Sequence, residues 1–132
     1  MELAKRGRSD DQVASFQDQG YLVLHDVLDE TDLAPVREEY AALLDEVATR
    51  LHAEGALSSS YAGMPFDERY TRMIGESGRV FQHLDITYPV VQVMPENPPI
   101  HVGPAVFGLL THPKVLDIVE SILGPEILSN PT

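Results

Sequence analysis

Apolar positions follow their clearest pattern between residues 31 and 55, where they predict one long amphipathic helix. The apolar side chains recur at spacings of three and four, which places them on one face of a helix; they are Leu33, Val36, Tyr40, Leu43, Val47 and Leu51. Thr31 or Asp32 is expected to cap the start. Pro35 falls in the first turn, where its missing N–H costs little. Gly55 is expected to end the helix.

A shorter helix is predicted before it. Ser9-Asp10-Asp11-Gln12 has the pattern of a capping box, with Ser9 as the N-cap and Gln12 at the third helical position. Gly20 supplies a left-handed stop. The apolar run that follows, residues 21–25, is short and rich in strand formers, so it predicts a buried strand.

The second half of the chain predicts three further helical stretches. Residues 66–74, FDERYTRMI, suit a helix with Phe66, Tyr70 and Met73 on one face, closed by Gly75. A short apolar turn or helix is expected from Ala105, in AVFGLLT.

Thr111-His112-Pro113 then opens the last helix, with His112 as its cap and proline at its first position. Gly124-Pro125 is its stop, and the residues after it suggest the start of a second strand. Five prolines between residues 89 and 104 predict largely irregular structure there.

These elements suggest a mostly helical α+β chain that is part of a larger domain. A buried strand needs partners for its backbone groups, and one or two short strands are too few to form a sheet. We therefore expect residues 1–132 to be a single incomplete domain. Its parts would be a helix, strand and long helix over 9–55, a loop-rich region over 56–104, and a helix leading into a further strand over 105–132.

Charge and composition narrow the classes of partner. Lys and Arg total 9 against 21 Asp and Glu, for a net charge of −12, which disfavours binding to nucleic acid or to anionic membranes. The basic cluster from Lys5 to Arg8 is expected to be a frayed terminus. The absence of cysteine excludes disulfides, thiolate metal sites and cysteine nucleophiles. Without a secretion signal or a membrane-spanning run, the expected location is cytoplasmic.

Two stretches together resemble the phytanoyl-CoA dioxygenase family. The first is residues 16–47, FQDQGYLVLHDVLDETDLAPVREEYAALLDEV, and the second is residues 106–128, VFGLLTHPKVLDIVESILGPEIL. The order of their parts is similar to that of the family: a helix ending in Phe…Gly-Tyr, an apolar strand, an acidic connection, a long helix, and later a His-Pro step and a Leu-Gly-Pro turn. Residues 56–104 have no counterpart.

This resemblance implies the N-terminal helical and short-strand part of a double-stranded β-helix, a jelly-roll or cupin-like fold whose barrel is largely missing here. The whole enzyme would use Fe(II) and 2-oxoglutarate to hydroxylate a small organic or acyl substrate. In the family, the His-x-Asp iron ligands follow the Leu-Gly-Pro turn, and the second histidine and the 2-oxoglutarate arginine come later. By that alignment this chain holds no catalytic, cofactor-binding or metal-binding residue. Its partner would be the missing C-terminal barrel.

One His-x-Asp pair is nevertheless present, at His83 and Asp85. With His101 or His112 as third ligand, it would form the two-histidine, one-carboxylate face of a non-haem iron site. The pair lies before the apolar helix rather than after it, and prolines interrupt the sequence that follows. A surface pair, or a histidine oriented by its neighbouring carboxylate, is therefore the favoured interpretation.

The other ionisable groups have simpler interpretations. His25 is expected to be structural at the end of the strand, and His52 to be a surface residue at a helix C-terminus. Seven acidic residues could suggest a cation cluster, but helical spacing predicts a solvated outer face; they are Asp29, Glu30, Asp32, Glu38, Glu39, Asp45 and Glu46.

The unmatched middle region contains a loose group of apolar residues: Tyr61, Met64, Phe66, Tyr70 and Met73. By analogy with oxygenases of this type, residues 56–104 are a candidate substrate lid, with ordinary packing the favoured alternative. Two other functions stay open for the chain. One is a complete small helical binding or assembly protein without catalytic activity, and the other is a self-contained enzyme that uses His83 and Asp85.

Overall fold

The computed structural model describes residues 9–78, 84–86 and 100–129 of the chain. This part of the chain holds five α-helices and no strand. The helices are α1 Asp10–Gln19, α2 Glu30–Ala53, α3 Phe66–Ser77, α4 Pro104–Leu110 and α5 Pro113–Leu123. The expectation of a mostly helical segment is confirmed, and the double-stranded β-helix stays a prediction.

The predicted strand at residues 21–25 is wrong for the described structure. No residue of this run is in a strand, although Tyr21 and Val23 are exposed while Leu22 and Leu24 are half-buried. A strand exists only where a second strand completes its hydrogen-bond ladder, and the described residues supply no such partner. The same holds for residues 126–129, the described part of the second predicted strand.

The caps of α1 are as the sequence predicts. The Ser9 hydroxyl accepts the backbone N–H of Gln12 at 3.3 Å, and the Gln12 side chain accepts the backbone N–H of Ser9 at 3.1 Å. This reciprocal pair satisfies two backbone donors at the helix start. Gly20 then ends the helix with a φ of 79°, in the left-handed region that glycine adopts without strain.

The cap of α2 lies two residues before Thr31 and three before Asp32, so Pro35 falls inside the helix and not in its first turn as predicted. The Asp29 carboxylate accepts the backbone N–H groups of Thr31 at 2.9 Å and Asp32 at 3.1 Å. Asp32 in turn accepts the backbone N–H of Asp29 at 2.9 Å. Asp29 is therefore the cap, and Asp32 completes a capping box with a carboxylate in place of the usual Glu or Gln.

Gly55 terminates α2 in a Schellman arrangement. The backbone N–H of Ala56 donates to the carbonyl of Leu51 at 2.9 Å, and that of Gly55 donates to the carbonyl of His52 at 3.0 Å. The φ of Gly55 is 74°, which explains why glycine stands there. This prediction is confirmed.

The described residues divide into two compact units. One comprises residues 9–33 and 104–129, and the other comprises residues 34–78, 84–86 and 100–103. α2 contributes its first four residues to the first unit and the rest to the second. None of the helices in these described ranges is both long and apolar enough to cross a bilayer.

The core of the second unit is formed by α2, the turn after it and α3. Its buried side chains are Leu44, Val47, Ala48, Leu51, Leu57 and Met73. Only Val47 and Leu51 of the predicted stripe are fully buried, because the packed face of α2 is rotated toward Leu44 and Ala48. Val36 and Tyr40, nearer the N-terminal end of the same stripe, are half-buried.

α3 runs three residues further than predicted. It passes through Gly75 and ends at Gly78, whose φ of 62° and N–H bond to the carbonyl of Ile74 form the cap. Met73 is fully buried as expected, whereas Phe66 is exposed and the cation of Arg69 is buried instead.

The first unit holds α1, the start of α2, α4 and α5, and Val106 is the one residue of its described part that is fully buried. His112 is the N-cap of α5 and Pro113 is its first residue, as predicted. Gly124 ends the helix at a φ of 87°. Large apolar side chains remain exposed around these helices, namely Tyr21, Val23, Phe107, Leu110, Leu123 and Leu128.

Candidate functional site

His101 forms a mostly buried pair with Glu39 in the second unit. Its Nε2 lies 2.8 Å from Oε1 of Glu39, and the two side chains are 14% and 16% exposed. The backbone N–H of His101 also donates to the carbonyl of Asp85 at 2.7 Å. His101 is therefore held through its ring by a carboxylate on α2 and through its backbone by Asp85.

Gly103 allows this pair to form. A Cβ at this position would overlap both the carboxylate of Glu39 and the imidazole of His101. The backbone consequently approaches the pair more closely than any residue with a side chain could.

Tyr40 completes the cluster on α2. Its ring lies 5.1 Å from that of His101 at an interplanar angle of 62°, an edge-to-face contact. Burial raises the pKa of Tyr40 above its ordinary value of 10.0, and the negative charges of Glu39 and Asp85 raise it further. The phenol is therefore neutral at physiological pH.

Tyr40 also lines a cavity between α2 and α3. The cavity has a volume of about 660 Å³, and its lining residues include Val36, Arg37, Tyr40, Ala41, Phe66 and Asp67. The Phe66 ring stacks on that of Tyr70 at a centroid distance of 6.3 Å. Sites for small organic molecules commonly have volumes of about 300–1,000 Å³ and apolar walls. This cavity has the size and chemistry to hold an apolar small molecule.

The first unit contains a second polar cluster, where the starts of α2 and α5 meet. The Lys114 ammonium donates to Asp32 and, at 3.2 Å, to Asp29. His112 lies 3.2 Å from Asp32 through its Nε2. Asp32 is mostly buried by these contacts, whereas Asp29 is largely exposed.

The Lys114 hydrogen bonds shift the pKa values of the three groups in this cluster. They lower the pKa values of Asp29 and Asp32 below 3.8, with a further contribution from the backbone N–H groups that the two aspartates accept from one another. The same two carboxylates raise the pKa of Lys114 above 10.5. All three groups are therefore charged across the neutral range.

Acidification is expected to remove the stabilisation that this cluster provides. Because the folded pKa values of the aspartates are depressed, their contribution is present above 3.8 and is lost as the pH falls through the folded values. Urea unfolding should therefore show wild type more stable than Lys114→Met at neutral pH, and the difference should shrink as the pH falls below 3.8. It should also shrink above 10.5, where Lys114 itself deprotonates.

Arg50→Met is the matched control for this prediction. It removes an exposed cation that takes part in none of these hydrogen bonds, so its difference from wild type should show no comparable loss in acid. An equal dependence on pH in the two variants would mean that net charge, and not the cluster, is responsible.

The loop after α2 is attached to α3 by a further set of contacts. Glu76 accepts hydrogen bonds from the Tyr61 hydroxyl and, at 2.7 Å, from the backbone N–H of Ser58. These bonds lower the pKa of Glu76, with that from Tyr61 the largest cause. The Arg72 guanidinium lies 4.8 Å from the centre of the Tyr61 ring. The lid role proposed for residues 56–104 stays a prediction, and part of that range, residues 79–83 and 87–99, lies outside the described residues.

The structure places the candidate iron ligands as follows. His83 lies outside the described residues, and Asp85 meets His101 through a backbone hydrogen bond. His112 caps α5, and His25 lies in an exposed bend. His52 is exposed near the end of α2, as predicted, and its Nδ1 is 2.9 Å from the carbonyl oxygen of Leu57. Within the described ranges, no three His, Asp or Glu side chains converge to hold a metal ion.

The prediction of a solvated acidic face is wrong for Asp32 and Glu39, whose side chains are 13% and 16% exposed and bind Lys114 and His101. Asp29 and Asp45 are exposed as predicted, although each also pairs with a cation. One sequence signal could have identified Glu39. It lies three residues after Val36 and four before Leu43, which places it on the apolar side of the helix. Glycine at position 103 gives no such signal, since its role depends on contacts distant in sequence.

Comparisons with protein-family models, with curated proteins and with solved structures find no match to this chain.

Proposed function

We propose that this chain is the N-terminal part of an Fe(II)- and 2-oxoglutarate-dependent oxygenase similar to the phytanoyl-CoA dioxygenase family. The observation that carries the proposal is the order of its elements. A helix ends at Gly20, an apolar run and an acidic connection follow, and the long helix α2 comes next. Later, a helix capped by His112 ends at Gly124. The same order of elements underlies the resemblance in sequence to the family.

The described residues do not fit an iron site. Nε2 of His101 contacts Glu39, both ring nitrogens of His112 have partners, and Nδ1 of His52 contacts a carbonyl oxygen. In the proposal, the iron ligands and the 2-oxoglutarate arginine belong to the barrel portion, and this segment acts as its scaffold. The substrate would be a small organic or acyl molecule, and a cytoplasmic location remains part of the same prediction.

Exposed apolar side chains in the first unit support a scaffold role. Tyr21 and Val23 are 62% and 65% exposed and alternate with half-buried neighbours, which is the pattern of a run that another strand could cover. Phe107 and Leu123 are about as exposed on α4 and α5. In the proposal, barrel strands pack on these residues.

Two experiments test the proposal: sequencing of the gene beyond codon 132 and an Fe(II)-binding titration of the chain. The reading frame beyond codon 132 is expected to encode a His-x-Asp pair, then a distal histidine and an arginine. The 132-residue chain itself should bind no Fe(II) in anaerobic titration. Stoichiometric binding that His83→Ala abolishes and His25→Ala leaves intact would contradict the proposal and favour a self-contained site.

The cavity between α2 and α3 favours a second candidate, a small helical protein that binds a ligand without catalysis. Under this alternative the chain should unfold cooperatively as a monomer or a defined oligomer. Under the scaffold proposal the folded chain should bind hydrophobic dyes before unfolding begins, because apolar side chains of the first unit are uncovered. Dye binding during a urea titration separates the two.

A further inference from the structure

His112 contacts a different partner through each ring nitrogen. Nδ1 accepts the backbone N–H of Lys114 at 3.2 Å, and Nε2 lies 3.2 Å from a carboxylate oxygen of Asp32. An acceptor at Nδ1 requires a lone pair, and a carboxylate requires a donor at Nε2. Only the neutral imidazole with its proton on Nε2 satisfies both contacts.

We infer that His112 is a proton-operated cap that holds the start of α5 closed when neutral and releases it when protonated. Proton uptake converts Nδ1 into a donor that faces the N–H donor of Lys114, so the capping bond is lost. Pro113 has no N–H, which makes the Lys114 amide the first donor of the helix. Pro113, the one residue between His112 and Lys114, has no side-chain acceptor that could replace the imidazole.

The surrounding charges make this effect local. Asp32 contacts the imidazole from the start of α2, and the Lys114 ammonium on α5 contacts both Asp29 and Asp32. α4 carries no titratable side chain. Nε2 donates to Asp32 in both protonation states, so the link between α5 and α2 persists while the first turn of α5 opens. An imidazolium at a helix N-terminus is also opposed by the helix dipole.

His52 provides a contrast within the same chain. Its Nδ1 lies 2.9 Å from the carbonyl oxygen of Leu57, which can only accept a hydrogen bond. Nδ1 donates there whether the ring is neutral or protonated. Acidification should therefore break the backbone contact of His112 and leave that of His52 intact.

Two NMR measurements on the full chain test the inference. Long-range ¹H–¹⁵N spectra near pH 8 should show that His112 is protonated on Nε2 and unprotonated on Nδ1. Protection of the Lys114 amide against hydrogen exchange, corrected for intrinsic rates and normalised to Val119 in the same helix, should then fall roughly fivefold between about pH 8 and the lower pH at which the same spectra show both ring nitrogens of His112 protonated.

His112→Asn is the matched variant, because asparagine is a strong N-cap that does not titrate in this range. Its Lys114 amide should stay protected at both pH values, whereas His112→Ala should show low protection throughout. A proton on Nδ1 at high pH, constant protection in wild type, or the same pH dependence in His112→Asn would each overturn the inference.

Discussion

Replacing Leu44 by alanine should destabilise the second unit by about 2–5 kcal/mol. Leu44 is 1% exposed and packs in the cluster that joins α2 to the following turn and to α3. Truncation removes its transfer free energy and leaves a cavity, because the neighbouring side chains can close only part of the space. Urea unfolding should show the loss as a lower midpoint with an unchanged slope.

The matched control makes the same substitution on α5. Leu123 is 66% exposed, so Leu123→Ala should change the free energy of unfolding by less than about 0.5 kcal/mol. Methyl resonances of Met73 and Val47 report on the second unit and separate its unfolding from that of the first. Equal losses in the two variants would contradict the core assignment.

The elements that the sequence predicts correctly are those whose signals are local. The Ser9 capping box, the glycines that end α1 and α2, and the His112-Pro113 start of α5 each depend on residues within one turn of each other. The start of α2 is shifted because Asp29 and Asp32 both suit a cap, and the two cap each other's backbone. Short-range patterns predict that a helix starts there, and the competition between the two carboxylates decides where.

Features that depend on distant partners could not be predicted. The strand at residues 21–25 needs a second strand, and apolar residues alone do not supply one. The rotation of the packed face of α2 toward Leu44 and Ala48 follows from where Met73 and Leu57 lie against it. Helical periodicity indicates that a face is buried, but its exact direction depends on the neighbouring element.

The polar contacts divide in the same way into those with local signals and those that depend on distant partners. His112 was predicted as a cap because its proline follows directly. The partners of His101 and Lys114 are 62 and 82 residues away along the chain, at Glu39 and Asp32. Spacing places Glu39 on the apolar side of α2 but does not indicate its partner, so only the fold identifies these pairs.

Removing Asp45 should cost more than removing its buried partner Arg69. The Arg69 side chain is 8% exposed, while that of Asp45 is 65% exposed. The guanidinium donates to Asp45 and, through Nε, to the carbonyl of Ser60 at 3.0 Å. Asp45→Ala leaves a buried cation without a counter-charge, which should cost about 2–4 kcal/mol. Arg69→Met keeps the packing and leaves a carboxylate that water can solvate, so it should cost about 1 kcal/mol.

A double-mutant cycle measured by urea unfolding tests this asymmetry. Once Arg69 is methionine, Asp45→Ala should have almost no further effect, because the charge that needs Asp45 is gone. Glu46→Ala removes the neighbouring exposed carboxylate on the same helix and is the control, with an expected change below about 0.5 kcal/mol. If Asp45→Ala costs no more than this control, the pair behaves as a surface ion pair, and the attachment of α3 to α2 rests on the apolar core alone.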